Sequence, residues 1–255
     1  MTTPRTTDPG RLIAHRGASR VAPENTLAAF RAARAQSVHW IEFDVTLLGD
    51  DLPVIHHDAT LERCTSHSGP ILGLDEADLT RIDASKGFGD QFLGEPIPTL
   101  SATLMLIDEL ELYANLEMKL NDGAPDMLAR QTASALEAYP WSRERILVSS
   151  FNHETLAIFR GLCPEQPIAA LWDDPPSDWS DTTDALDACA VHMNYRNLNA
   201  KLLESVCGRG LDLRVYTINE PVLMAPFREK GLTGVITDHP PLFQDLNDWR
   251  TWSTG

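Results

Sequence analysis

The regular exchange of short β-rich runs for amphipathic segments of helical length narrows the fold of this 255-residue chain more than any other feature. The runs are LIA (12–14), IEFDV (41–45), PVIH (53–56), NLEM (115–118), ILVS (146–149), IAAL (168–171), VHM (191–193), LRVYTI (213–218) and GVIT (234–237). Segments such as 26–36, 125–139, 153–162, 199–210 and 221–231 alternate with them, several opening on Asn, Asp or Pro and closing near Gly, as helices do. Such alternation implies an α/β chain with a parallel sheet. Nine runs is one more than an eightfold barrel uses. The link from IEFDV to PVIH is only LLGDDL, residues 47–52 after Thr46, whereas a parallel crossover needs about a dozen residues. PVIH must therefore return antiparallel as a hairpin, and eight strands remain for a (β/α)8 TIM barrel. That architecture commonly forms one domain at this length, so residues 1–255 are read as a single domain. Residues 59–98, rich in Gly, Asp and Pro without a strong period, are read as a small insertion after the second barrel strand, lying over the barrel mouth.

In such barrels reactive groups sit at the carboxyl ends of the strands, where the βα-loops form the open face. His15 and Arg16 end the first strand, Glu42 and Asp44 lie near the end of the second, and Glu117 and Lys119 end the third. Alternation places Glu42 and Asp44 on one face, with Ile41, Phe43 and Val45 facing the helices, and groups Asn115, Glu117 and Lys119 in the same way. Three converging carboxylates repel, by roughly 4 kcal/mol for each pair at ~4 Å and an effective dielectric of about 20. One divalent cation relieves this, and an all-carboxylate donor set suits Mg²⁺ or Ca²⁺ better than Zn²⁺. Beside it, the planar fork of Arg16 and the compact charge of Lys119 suit phosphate oxygens. His15 and one histidine of the HHD run at 56–58 complete a pair able to act as base and acid; strand geometry alone does not separate His56 from His57.

Net charge excludes some partners. Twenty-one Lys and Arg stand against 37 Asp and Glu, a formal charge of −16, which repels nucleic acid and anionic membrane surfaces. An anionic substrate must then be held by a local cluster. No apolar run approaches the ~18 residues of a membrane span, so no stable membrane insertion is expected. The opening MTTPRTTDPG lacks a signal-peptide pattern and the four cysteines show no paired spacing, which together point to a reducing, cytoplasmic setting. The sequence carries no signal for an oligomeric state.

Each of these residues also has a structural reading. A histidine at a strand end is commonly just a hydrogen-bonded residue, Glu42 and Asp44 could pair with Arg16 in a buried network, and Lys119 could be a solvated rim charge. Convergence of three strands and a hairpin on one rim favours the functional reading. PENT reads mainly as helix-start chemistry, with Glu24 and Asn25 either structural or supporting the site residues beside them, His153 and Glu154 as a first helical turn, and Trp172, Tyr195 and Tyr216 mainly as packing. His239 is assigned no role.

LIAHRG, PENT, IEFDV, VIHHD followed by TLERCT, GEPIPTL, NLEMK, VSSF, VYTINEP and GVITDHP occur in this order along most of the chain. By these motifs it resembles the glycerophosphodiester phosphodiesterase family, particularly its short cytosolic bacterial members. The resemblance implies a TIM barrel with an insertion after the second strand and metal-dependent hydrolysis of a small-molecule glycerophosphodiester to glycerol 3-phosphate and an alcohol, a reaction suited to lipid turnover or phosphate scavenging. It also implies catalytic His15 and His57, metal carboxylates Glu42, Asp44 and Glu117, and phosphate-binding Arg16 and Lys119. A lysophospholipase D on the same barrel would need an apolar groove, for which Phe88, Phe92 and Leu93 are the candidates. A barrel glycosidase would use Glu42 and Glu117 as its carboxylate pair and have no use for Arg16 or Lys119. A silent binding module on the same fold is opposed by the intact histidines and carboxylates.

Overall fold

The computed structural model describes residues 5–6, 11–228 and 230–247. Most of the opening ten residues, on which the absence of a leader pattern was read, lie outside them. Nine strands form one sheet: β1 (Leu12–Ala14), β2 (Trp40–Leu47), β3 (Pro53–Ile55), β4 (Tyr113–Met118), β5 (Ile146–Ser150), β6 (Ile168–Trp172), β7 (Ala190–Asn194), β8 (Asp212–Tyr216) and β9 (Gly234–Thr237). The order is β1-β9-β8-β7-β6-β5-β4-β2-β3, and β1 also pairs with β2. Eight parallel strands thus close a TIM barrel. β3 runs antiparallel to β2, with Val45 opposite Ile55 and Leu47 opposite Pro53, as the short link requires.

Between the strands lie α1 (Leu27–Ala35), α2 (Leu100–Glu109), α3 (Pro125–Glu137), α4 (Ser142–Arg145), α5 (His153–Leu162), α6 (Trp179–Leu186), α7 (Ala200–Gly208) and α8 (Ala225–Arg228). Short polar residues start most of the long ones: Thr26, Thr99, Asn152 and Asn199 each accept a backbone N–H of the first turn, satisfying a donor the helix cannot use itself. The helix expected over 221–231 is broken into a 3₁₀ turn at Pro221–Leu223 and the four-residue α8. Pro226 has no amide to bond back to Val222, so a continuous helix is disfavoured there; Glu229 lies outside the described residues. None of the described helices is long and apolar enough to cross a membrane.

Every residue of β2 is buried, because one strand face packs on helices and the other fills the barrel. Ile41, Phe43 and Val45 join Phe30, Leu104 and Leu116 in the outer core, on the face that strand alternation assigns them. Ile13, Trp40, Leu147, Ala169, Ala190 and Ile236 form a separate inner cluster, where Trp40 stacks on Tyr113 with centroids 5.3 Å apart. This inner layer closes one end of the barrel lumen and leaves polar residues above it. The insertion has a small core of its own: Leu61, Ile71, Leu79, Ile82 and Ile97 pack on Leu48 and Val54 of the hairpin.

Candidate active site

β1 ends in a tight turn that sets the site's first elements. Arg16 and Gly17 both take positive φ, 55° and 79°, and a Cβ on Gly17 would lie 2.7 Å from the backbone of Ala29. The turn aims the Arg16 backbone N–H at Glu42 Oε2, 3.0 Å away. Asn25, also left-handed at φ 58°, a conformation asparagine tolerates, donates through Nδ2 to Asp44 Oδ2 at 2.8 Å and accepts from the Asp44 backbone N–H at 3.3 Å. PENT therefore does more than begin α1. Thr26 is the cap, Asn25 grips Asp44, and the Glu24 carboxylate is drawn away from the helix by Arg16 Nη1 at 2.7 Å and by two nitrogens of Arg63.

The three carboxylates converge. Strand register sets Asp44 opposite Glu117 and Glu42 opposite Asn115, and one oxygen each from Glu42, Asp44 and Glu117 falls within 4.8 Å of the others. All three are buried. Lys119 Nζ donates to Glu117 Oε1 at 2.9 Å and lies 3.9 Å from Asp44 Oδ1, while Arg16 Nε is 3.3 Å from Asp44 Oδ2. The buried-network reading is thus partly realised, yet two cations face three acids, and Arg16 is shared with Glu24. The imbalance shows in the acidities. Burial, then Asp44 and Glu117, push Glu42 well above the usual carboxylate range, and burial with Asp44 raises Glu117 to about 7. Asp44 resists its own burial and stays low because Arg16, His57 and Lys119 surround it. A buried all-oxygen cluster that cannot ionise fully by itself fits a hard divalent cation.

Both named histidines are oriented by carboxylates. His15 Nδ1 is 2.6 Å from Asp238 Oδ1, and its Nε2 is 3.9 Å from Glu42 Oε2. Asp238 also accepts from Asn219 at 2.7 Å; although burial opposes ionisation, the bond from His15 brings it down to about 2. His57 Nδ1 is 2.6 Å from Asp58 Oδ1, and Arg63 clamps Asp58 through Nε and Nη2. Burial, aided by Arg16 and Lys119, holds His57 below its ordinary pKa against the pull of Asp44 and Asp58. His56 turns away and donates from Nε2 to the Thr60 carbonyl at 3.0 Å.

A cavity of about 180 Å³ is lined by His15, Arg16, Glu42, His57, Glu117 and Lys119, together with Asn115, Phe151, Leu171, His192, Tyr216, Thr217 and Ile236. Asp44, the seventh residue named from the sequence, is buried against Asn25, Arg16 and Lys119. Tyr216 supplies a wall, its hydroxyl donating to the Trp172 carbonyl at 2.7 Å and its ring packed edge-on to Phe151. Phe88 and Phe92 instead pack on each other in the insertion and give no wall to the cavity. A larger groove of about 620 Å³ between α3 and the end of α5 shares no residue with it. Asp58, Asp238, Arg63 and Asn121, whose Nδ2 ties Thr46 to the Asp58 carbonyl, were not singled out from the sequence. The HHD run offered a direct signal for Asp58; TDHP offered a weaker one for Asp238.

The family described as glycerophosphoryl diester phosphodiesterase matches residues 15–242. A glycerophosphodiester phosphodiesterase of Caldanaerobacter subterraneus subsp. tengcongensis is 31% identical over 235 residues, covering 92% of this chain and 96% of that relative. One from Bacillus subtilis is 28% identical over 92% of this chain and 85% of its own length. Among solved structures, an Oleispira antarctica phosphodiesterase in complex with the product sn-glycerol-3-phosphate superposes with a TM-score of 0.89 at 32% identity, over 93% of this chain and 96% of that one. The fold, the motif order and these matches agree: the chain belongs to the glycerophosphoryl diester phosphodiesterase family, a family of phosphoric diester hydrolases.

Proposed function

We propose that this enzyme hydrolyses glycerophosphodiesters to sn-glycerol 3-phosphate and an alcohol, with His15 and His57 as its acid–base pair. One observation carries the reading: two imidazoles, each bonded at Nδ1 to a carboxylate, line the same small cavity as the acids Glu42 and Glu117 and the cations Arg16 and Lys119. The product complex of the Oleispira antarctica phosphodiesterase supports the substrate class. Glu42, Asp44 and Glu117 would hold one Mg²⁺ or Ca²⁺ ion, and such an ion, when bound, offsets charge on a phosphoryl oxygen and acidifies a neighbouring hydroxyl. In this reading residues 1–255 form one catalytic domain, with 59–98 as an insertion over the mouth.

The protein's own groups divide the remaining work. An Nδ1–H bonded to a carboxylate leaves Nε2 of the same ring as the proton-exchanging atom. His57, neutral at neutral pH, accepts at Nε2 the proton of the attacking hydroxyl, whether that belongs to water or to the glycerol itself. His15 protonates the departing alkoxide oxygen as its bond to phosphorus breaks. Arg16 and Lys119 stabilise charge that grows on the phosphoryl oxygens, a contribution larger in the transition state than in the ground state. The test is hydrolysis of glycerophosphocholine by wild type, His15→Ala and His57→Ala. Each substitution should lower kcat by about 10²- to 10⁴-fold; wild-type rates in both variants would refute the assignment. Acylated substrate and a simple glycoside, run beside it, are expected to turn over poorly.

A further inference from the structure

His192 is a charged-residue type with no part in the chemistry above, and it is wholly buried at the bottom of the same cavity. Arg214, also buried, reaches it from β8 with Nη1 3.3 Å from His192 Nε2. Arginine has donors and no acceptor. His192 Nε2 must therefore be the acceptor, and on a neutral ring the single proton sits on Nδ1. Burial and the neighbouring guanidinium keep the ring neutral. Nδ1–H then points a donor into the protein interior, and it has no partner among the described residues. Asn115, three strands away round the barrel in β4, lines the same cavity, is 1% exposed, and its Oδ1 is likewise unpartnered among the described residues. Leaving either group unsatisfied costs about 1–3 kcal/mol, so this donor and acceptor are arranged for a ligand that both accepts and donates. A hydroxyl does both.

We propose that His192 and Asn115 form a hydroxyl-recognition site that selects glycerol as the organic half of the substrate, His192 Nδ1–H donating to its terminal hydroxyl and Asn115 Oδ1 accepting from it. The inference rests on the phosphodiesterase reading and adds to it that the glycerol extends toward Leu171, Tyr216 and His192, which line the same cavity. It explains why a buried histidine's tautomer is fixed by an arginine, a contact that leaves Nδ1–H as an obligate donor without a protein partner among the described residues. The same hydroxyl pair would reject an otherwise identical diester lacking that oxygen, because two buried polar groups would be stranded.

Two substitutions separate recognition from packing. In His192→Gln the side-chain oxygen can still accept from Arg214, but no donor remains at the Nδ1 position. In His192→Asn an amide N–H replaces Nδ1–H while the acceptor for Arg214 is lost. The readout is the ratio of kcat/KM for glycerophosphocholine to that for the propane-1,2-diol analogue without the terminal hydroxyl. Wild type should favour glycerol by about 10- to 100-fold. His192→Gln should lose most of that ratio with little change in Tm, whereas His192→Asn should keep most of it and melt earlier. An unchanged ratio in His192→Gln, or a loss in both variants that tracks Tm, would overturn the proposal and reduce His192 to a support for Arg214 or a ligand for buried water. Calorimetric binding of sn-glycerol 3-phosphate and of the deoxy phosphate to wild type and His192→Gln gives the same comparison without turnover. If the wild type binds both but hydrolyses neither diester, the phosphodiesterase reading fails while the recognition site is still decided.

Discussion

At the scale of single residues, the carboxylate behind each histidine is the feature with the sharpest consequence. Asp58→Asn would leave the shape of the site intact but would present an amide where His57 Nδ1–H now meets a carboxylate at 2.6 Å. The ring can then adopt the wrong tautomer, and kcat should fall by about 100-fold or more with KM changed little; steady-state kinetics on glycerophosphocholine checks it. His192 gives a pH effect whose sign is fixed by burial. The folded ring stays neutral well below the ordinary value of 6.5, whereas the unfolded chain takes up a proton there. The unfolded state then binds more protons, so stability falls as pH drops through about 6.5 toward 5. Urea titrations at several pH values should show that slope flattened in His192→Gln. Glu42, Asp44, Glu117 and Lys119 were legible because they stand near strand ends with one parity on each strand, and His15 and Arg16 because they end the first strand; His57 was named only through the family resemblance. Asp238 was not legible, since its bond to His15 joins positions 223 residues apart, and no local period reports such a contact. His56 and His57 were inseparable by period because neighbours on a strand face opposite ways; only the closed hairpin shows His56 spent on Thr60.

Among the elements, the β1–α1 turn gathers three positive-φ residues, Arg16, Gly17 and Asn25. Gly17 combines positive φ with a Cβ position 2.7 Å from Ala29, so Gly17→Ala must displace either α1 or the end of β1. Unfolding by urea should show a loss of about 2 kcal/mol or more, and activity should fall further than stability because the Arg16 N–H would leave Glu42. The hairpin was legible from connection length alone, and with it the count of eight barrel strands. Three helices were read less well, each for a local reason. α6, WSDTTDAL, is rich in side chains that compete for backbone hydrogen bonds. α2 buries Leu100, Thr103, Leu104, Leu106 and Ile107, a face broad enough to blur its period. The segment ending in α8 is cut short by Pro226.

For the whole molecule, a net charge of −16 would deter any phosphate-bearing ligand, and the cavity answers this with Arg16 and Lys119 side by side. Composition alone required such a cluster, and strand parity indicated where it would lie. What composition could not give is the balance within it, because that depends on three acids and two cations sharing one desolvated volume, where burial raises Glu117 to about 7. Ions gathered in a low-dielectric site interact far more strongly than in water, so stripping the cation proposed for Glu42, Asp44 and Glu117 should also soften the barrel mouth. The most direct test is turnover of glycerophosphocholine by protein stripped with chelator and then titrated with Mg²⁺ or Ca²⁺. A metal-dependent mechanism requires hydrolysis to vanish on stripping and to return in full as one ion binds per chain, with Glu117→Gln needing at least about tenfold more metal. Undiminished hydrolysis by the stripped protein would contradict it.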